Sequence, residues 1–136
     1  MRRIHLAATV FGLFAIGAIL TAADAPPADF KKAMQEIGAG VQALSKPGAT
    51  EDMELAKTSA ITIKAAFTVV ENYWNSKDAE AAKLAHAGFK AAADIQVSTQ
   101  FNSVEGVTQG LQDLTATCTA CHTAHREKGT DGFLIK

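Results

Sequence analysis

The sequence predicts an all-α protein, an antiparallel up-down-up-down four-helix bundle. Apolar residues recur at alternating steps of three and four along four segments, the spacing that gathers them on one face of a helix. The breaks between segments are short and carry Pro, Gly, Asn and Ser, so consecutive helices become antiparallel neighbours. No segment shows a strand signal, and there is no internal repeat or low-complexity tract.

Phe30, Met34, Ile37, Val41 and Leu44 form the first stripe, stopped by Ser45-Lys46-Pro47-Gly48. Thr50 is the expected N-cap of the second helix, with Glu51, Asp52 and Glu54 at the positive end of its dipole. Met53, Ala56, Ala60, Ile63, Phe67, Val70 and Trp74 line it, and Asn75-Ser76 breaks the pattern. The third helix is expected from about Asp78 to Ser98, rich in Ala, with a weaker stripe of Ala81, Leu84, Gly88, Ala91 and Ile95. Asn102-Ser103 caps the fourth, whose stripe runs Val104, Val107, Leu111, Leu114, Cys118, Cys121, His125. Arg126 and Lys128 suit its negative end and Gly129 its stop, leaving residues 130–136 as an extended appendage. Gly88, Gly106 and Gly110 fall inside helices, where each costs about 1 kcal/mol against Ala unless a close approach offsets it.

A chain of 136 residues allows one domain. Residues 1–25 read as a leader outside it. Arg2 and Arg3 are followed by an uncharged run from Leu6 to Leu20, then by Ala23-Asp24-Ala25, which has small residues at the two positions a signal peptidase reads. The expected cut is after Ala25, leaving residues 26–136 as the mature domain in the periplasm. A retained membrane anchor is the alternative, but 15 apolar residues are short for a span of about 20. No Cys near the cut suggests a lipoprotein, and the surroundings of Arg2-Arg3 fit a twin-arginine route poorly. The net charge of −1 and the lack of a basic stripe speak against nucleic acid as a partner.

The chemistry lies in Cys118-Thr119-Ala120-Cys121-His122. CxxCH is the attachment signature of a c-type haem. Two thiols add across the porphyrin's vinyl groups as thioethers, and the adjacent imidazole ligates the iron. On a helix, Cys118 and Cys121 are neighbours, as are Cys118 and His122, so all three address one flat ligand. Both Cys fall on the apolar stripe, which puts the single haem c among the helices as part of a modest core. The competing readings fit less well. A Cys118–Cys121 disulfide leaves the His unexplained, and a thioredoxin-like CxxC belongs at the start of a helix in a βαβ setting. A zinc site from Cys118, Cys121, His122 and His125 crowds four ligands onto one helix.

For the second axial position, Met34 stands on the first stripe, one turn before Gly38, whose missing side chain would let a porphyrin approach. It is either ligand or pocket lining. Met53 reads as packing, His86 as solvent-facing, and His125 shares the haem helix and does not reach the opposite face. Arg126, one turn after His122, either pairs with a haem propionate or sits at a solvated helix end. Phe67 and Trp74 pad either the haem or the core. Lys31, Lys32, Lys77 and Lys83 read as solvated faces, though a Lys-ringed haem edge also docks partners.

Together these residues resemble the class II cytochromes c, the family of cytochrome c′ and cytochrome c-556. The resemblance spans the mature chain and rests on Cys118 to Arg126, in which an Arg follows the ligand His by four, with support from Tyr73-Trp74 and from Asp131-Gly132 and Ile135-Lys136. It implies a secreted four-helix bundle in which Met34-Gln35-Glu36-Ile37-Gly38 faces the distal side of the haem. In c-556-like members a Met there completes a six-coordinate iron. In c′-like members the matching residue screens an open site that binds nitric oxide or carbon monoxide. The chain departs from the family at Phe30, where a basic residue is common, and in its short connection after Trp74, so neither a propionate contact at Phe30 nor the family's dimer interface carries over.

The function this predicts is one-electron transfer between redox partner proteins, with His122 and Met34 as axial ligands. The alternative is a five-coordinate gas-binding protein with Met34 as gate, and a lesser one is a structural subunit descended from such a carrier. No acid–base pair or nucleophile stands beside the motif, so an enzyme is not predicted. No membrane insertion is expected after signal cleavage, and a homodimer is left open.

Overall fold

Three of the four helices begin where a short polar side chain caps the free N–H groups of the first turn. The computed structural model describes residues 24–130 and 132–136. Helix α1 spans Ala28–Leu44, α2 Met53–Trp74, α3 Ala79–Gln100 and α4 Val104–His125, and the strands β1 (Arg126–Lys128) and β2 (Phe133–Ile135) follow. The expected leader lies, up to residue 23, outside the described residues. Asp52, rather than Thr50, caps α2, accepting from Leu55 N–H at 3.0 Å. Residues 49–51 are instead taken up in the turn after α1, where Gly48 has φ +76°. Asp78 caps α3 through Glu80 and Ala81, and Ser103 caps α4 through Gly106.

The helices pack in sequence, α1 on α2, α2 on α3 and α3 on α4, as short connections require. Leu44, Ile63, Val70, Ile95, Val107 and Leu114 are the large side chains fully withdrawn from solvent. The α2 stripe is buried from Ala56 to Trp74, whereas Val104, first on the α4 stripe, is exposed. Two interior glycines are explained by this packing. A Cβ on Gly88 would strike the Phe67 ring, and one on Gly110 would meet Ile95 Cγ1 at 2.5 Å.

One end of the bundle gathers the start of α1, the end of α2, the start of α3 and the end of α4. The ring centroids of Phe30 and Trp74 are 6.2 Å apart, and those of Trp74 and His125 5.1 Å. His125 Nδ1 is 4.0 Å from Asp78 Oδ2. By contrast, α1 and α4 scarcely touch, leaving one long side of the bundle open between them. Among the described residues no helix is long and apolar enough to cross a membrane.

The tail departs from the sequence expectation. Helix α4 ends at His125, not Gly129, because Arg126 turns to φ −125°, ψ 134°. Residues 126–128 then pair antiparallel with 133–135, Arg126 opposite Ile135. What reads as an appendage is a two-stranded ribbon. Phe133, Leu134 and Ile135 favour strand, but a strand of three is too short to show alternation. Ile135 packs against the helical core, which anchors the ribbon beside the end of α4.

Candidate functional site

The last turns of α4 carry Cys118, Cys121 and His122, all half-buried. Cys118 packs against the hydrophobic core. Both thiols are free. Burial, then the neighbouring Cys121, pushes the Cys118 thiol pKa up, and burial, then the Asp78 carboxylate, does the same for Cys121. Each is held in its protonated form. Burial, then the Arg126 guanidinium, lowers the His122 pKa, which favours the neutral imidazole able to bind a metal.

The ribbon brings Arg126 onto His122. Arg126 Nη1 lies 3.4 Å from His122 Nδ1, and its guanidinium carbon stands 3.2 Å from the Phe133 ring centroid, a cation–π contact. Arg126, the residue that caps the end of α4, thus lies between His122 and Phe133. A pocket of about 450 Å³ opens here, lined by Thr119, His122, Arg126, Lys128 and Phe133 among others.

A larger groove of about 680 Å³ continues further along the same face of α4, lined by Ser45 at the end of α1 and by Leu111, Thr115, Ala116, Thr119 and Ala120. Thr119, inside the CxxCH motif, borders both. On α1, Met34, Gly38, Val41 and Ser45 share one helical face, and Ser45 lining the groove identifies that face as the one toward α4. Met34 and Val41 are half-buried. A Cβ on Gly38 would meet nothing within 4 Å. Met34 lines neither cavity and stands in the first half of α1, the half toward the motif's end of the bundle.

The other candidates separate cleanly. Met53 opens α2 at the far end of the bundle from the motif. His86 is exposed and 3.2 Å from Glu71 Oε1. His125 packs on Trp74 and faces Asp78. Among the described residues no three His, Cys, Asp or Glu side chains converge on one point. Phe67 and Trp74, equivalent in the sequence, divide: Phe67 fills the space above Gly88 in mid-bundle, whereas Trp74 stands at the motif's end. Trp74 is 5% exposed, and its Nε1 is buried with no hydrogen-bond partner among the described residues. A buried donor left unpaired costs about 1–3 kcal/mol.

Sequence reasoning missed Phe133 and Asp78 as neighbours of the motif. Asp78 was legible in principle, since antiparallel alternation sets the start of the third helix beside the end of the fourth. No family model, characterised protein or solved structure matches this chain.

Proposed function

We propose that this chain is a periplasmic c-type cytochrome of the class II kind, which carries one electron at a time through a haem held covalently by Cys118 and Cys121. The observation that carries the reading is the placement of CxxCH on the last turns of α4, with both Cys half-buried along the bundle seam, in a bundle whose α1 and α4 scarcely touch. An open groove lined by Ser45, Leu111 and Thr115, and an orphaned indole N–H at the motif's end of the bundle, fit a flat apolar ligand with polar substituents. When bound, the haem supplies an iron that alternates between two oxidation states.

The chain's own residues do the rest. Cys118 and Cys121 would tie the ligand to α4, and His122, half-buried, would hold the iron. Met34, on the α1 face that carries Ser45, is the candidate for a second ligand. A thioether paired with an imidazole would raise the reduction potential of the iron.

The test is the absorption spectrum of the purified protein, oxidised and reduced, with and without carbon monoxide, beside Met34→Ala. A low-spin reduced form indifferent to carbon monoxide, turning high-spin in the variant, supports the carrier. A high-spin reduced form that binds carbon monoxide in the parent protein removes Met34 as ligand and favours gas binding. Absence of any covalent pigment sinks both.

A further inference from the structure

Asp24 adds a third strand position to the C-terminal ribbon. Its N–H donates to the Ile135 carbonyl at 3.0 Å, and its carbonyl accepts from Ile135 N–H at 2.9 Å, an antiparallel bridge. Ile135 is therefore held from both edges, by Asp24 on one and by Arg126 of β1 on the other. A cut after Ala25 would remove Asp24 and take both hydrogen bonds from Ile135, and main-chain groups in a folded protein are rarely left without partners.

The bond after Ala25 is also a poor one to hydrolyse. It is an Ala–Pro imide: the Pro26 nitrogen carries no hydrogen, and the ring fixes φ and crowds the residue before it. A peptidase that holds its substrate as an added strand depends on main-chain N–H groups. Two residues earlier the obstacle is gone. Thr21 and Ala23 present short side chains at the third and first positions before the Ala23–Asp24 bond, the pattern an export peptidase reads, and Asp24 supplies an ordinary amide.

We infer that the exported chain is cut between Ala23 and Asp24, so that Asp24 is the first residue of the mature protein and clasps Ile135. Water adds across the amide. The Ala23 carbonyl carbon leaves on the leader as a carboxylate, and the Asp24 nitrogen becomes an α-ammonium. That ammonium still donates to the Ile135 carbonyl, now with its charge assisting. The clasp reaches the candidate site, because Ile135 pairs with Arg126 and Arg126 faces His122. The inference rests on reading residues 1–23 as an export leader.

The test uses the full-length chain exported by a bacterial host, with intact mass and N-terminal sequencing of the purified product. Asp24 as first residue supports the cut. Pro26 as first residue overturns it and leaves the leader reading standing, whereas a product that keeps Met1 overturns both. Two variants separate the sites further. Thr21→Phe puts bulk three positions before the inferred cut and is expected to block processing. Ala25→Phe lies two positions beyond it and is expected to be processed like the parent. The reverse pattern, Ala25→Phe blocked and Thr21→Phe cut normally, overturns the inference.

Discussion

Arg126 Nη1 stands 3.4 Å from His122 Nδ1 across the joint between α4 and β1. A guanidinium only donates, so the nitrogen it faces is an acceptor, and a proton there meets a fixed positive charge. Burial and that charge together lower the His122 pKa. In the haem-free chain, Arg126→Ala is expected to raise the pH at which His122 protonates, without restoring the ordinary value of about 6.5, because burial remains. The sign for stability follows. Between that value and the lowered one the unfolded chain binds the extra proton, so the folded state loses stability as pH falls through the window. Histidine NMR titration of parent and variant checks both, and an unchanged His122 titration would remove Arg126 as a cause.

Cys118 and Cys121 are both raised in pKa, burial acting first in each. The thiolate is the reactive form. In the folded haem-free chain both thiols are expected to react slowly with iodoacetamide at pH 7 and faster as pH rises, with a jump in rate on unfolding in urea. If these Cys carry the haem, Cys118→Ser combined with Cys121→Ser leaves any bound pigment extractable by acidified organic solvent, while the parent keeps its colour through denaturing electrophoresis.

Much of this fold was legible because helical stripes are long. From Met53 to Trp74 the α2 pattern repeats often enough to fix both face and length, and Asp78 and Ser103 mark starts by their chemistry. The CxxCH spacing marked Cys118, Cys121 and His122 as candidates, and all three fall on the last turns of α4. Other features escaped for physical reasons. The ribbon holds only three residues per strand, too few for periodicity, and its stability comes from Ile135 packing on the core and bridging Asp24, contacts distant in sequence. For the same reason Arg126 read as a helix end. Phe67 and Trp74 look alike in the stripe, and only the pairing of helix ends puts one in mid-bundle and the other beside His125.

Gly110 and Gly38 provide a matched contrast. Gly110 is buried, and its missing Cβ makes room for Ile95, which has no exposed surface to retreat toward. Gly110→Ala is expected to destabilise by ~1–3 kcal/mol through overpacking, despite the better helix propensity of Ala. Gly38→Ala meets open space and is expected to stabilise the haem-free chain by ~0.5–1 kcal/mol. Gly38→Phe tests the slot between α1 and α4: the haem-free chain folds as before, while covalent pigment per chain drops sharply. Urea unfolding and pigment yield read the two effects separately. Normal pigment in Gly38→Phe would place the ligand elsewhere.

Trp74 is the single tryptophan of the chain, and it packs against His125, one turn beyond Cys121. A haem attached at Cys118 and Cys121 would lie within short range of that indole, close enough to drain its excited state. Tryptophan emission is therefore expected to be strongly quenched in the pigmented protein and restored when both Cys are changed to Ser. The unpaired Nε1–H sharpens the expectation. In the haem-free chain, Trp74→Phe removes a buried donor with no acceptor, a relief of about 1–3 kcal/mol that offsets part of the lost packing. A haem that brings a carboxylate within reach of that N–H would abolish the relief, so the same substitution costs more stability in the pigmented protein than in the haem-free one. Thermal unfolding of all four forms measures the difference. Equal losses with and without pigment would mean that the indole N–H gains no partner from the ligand.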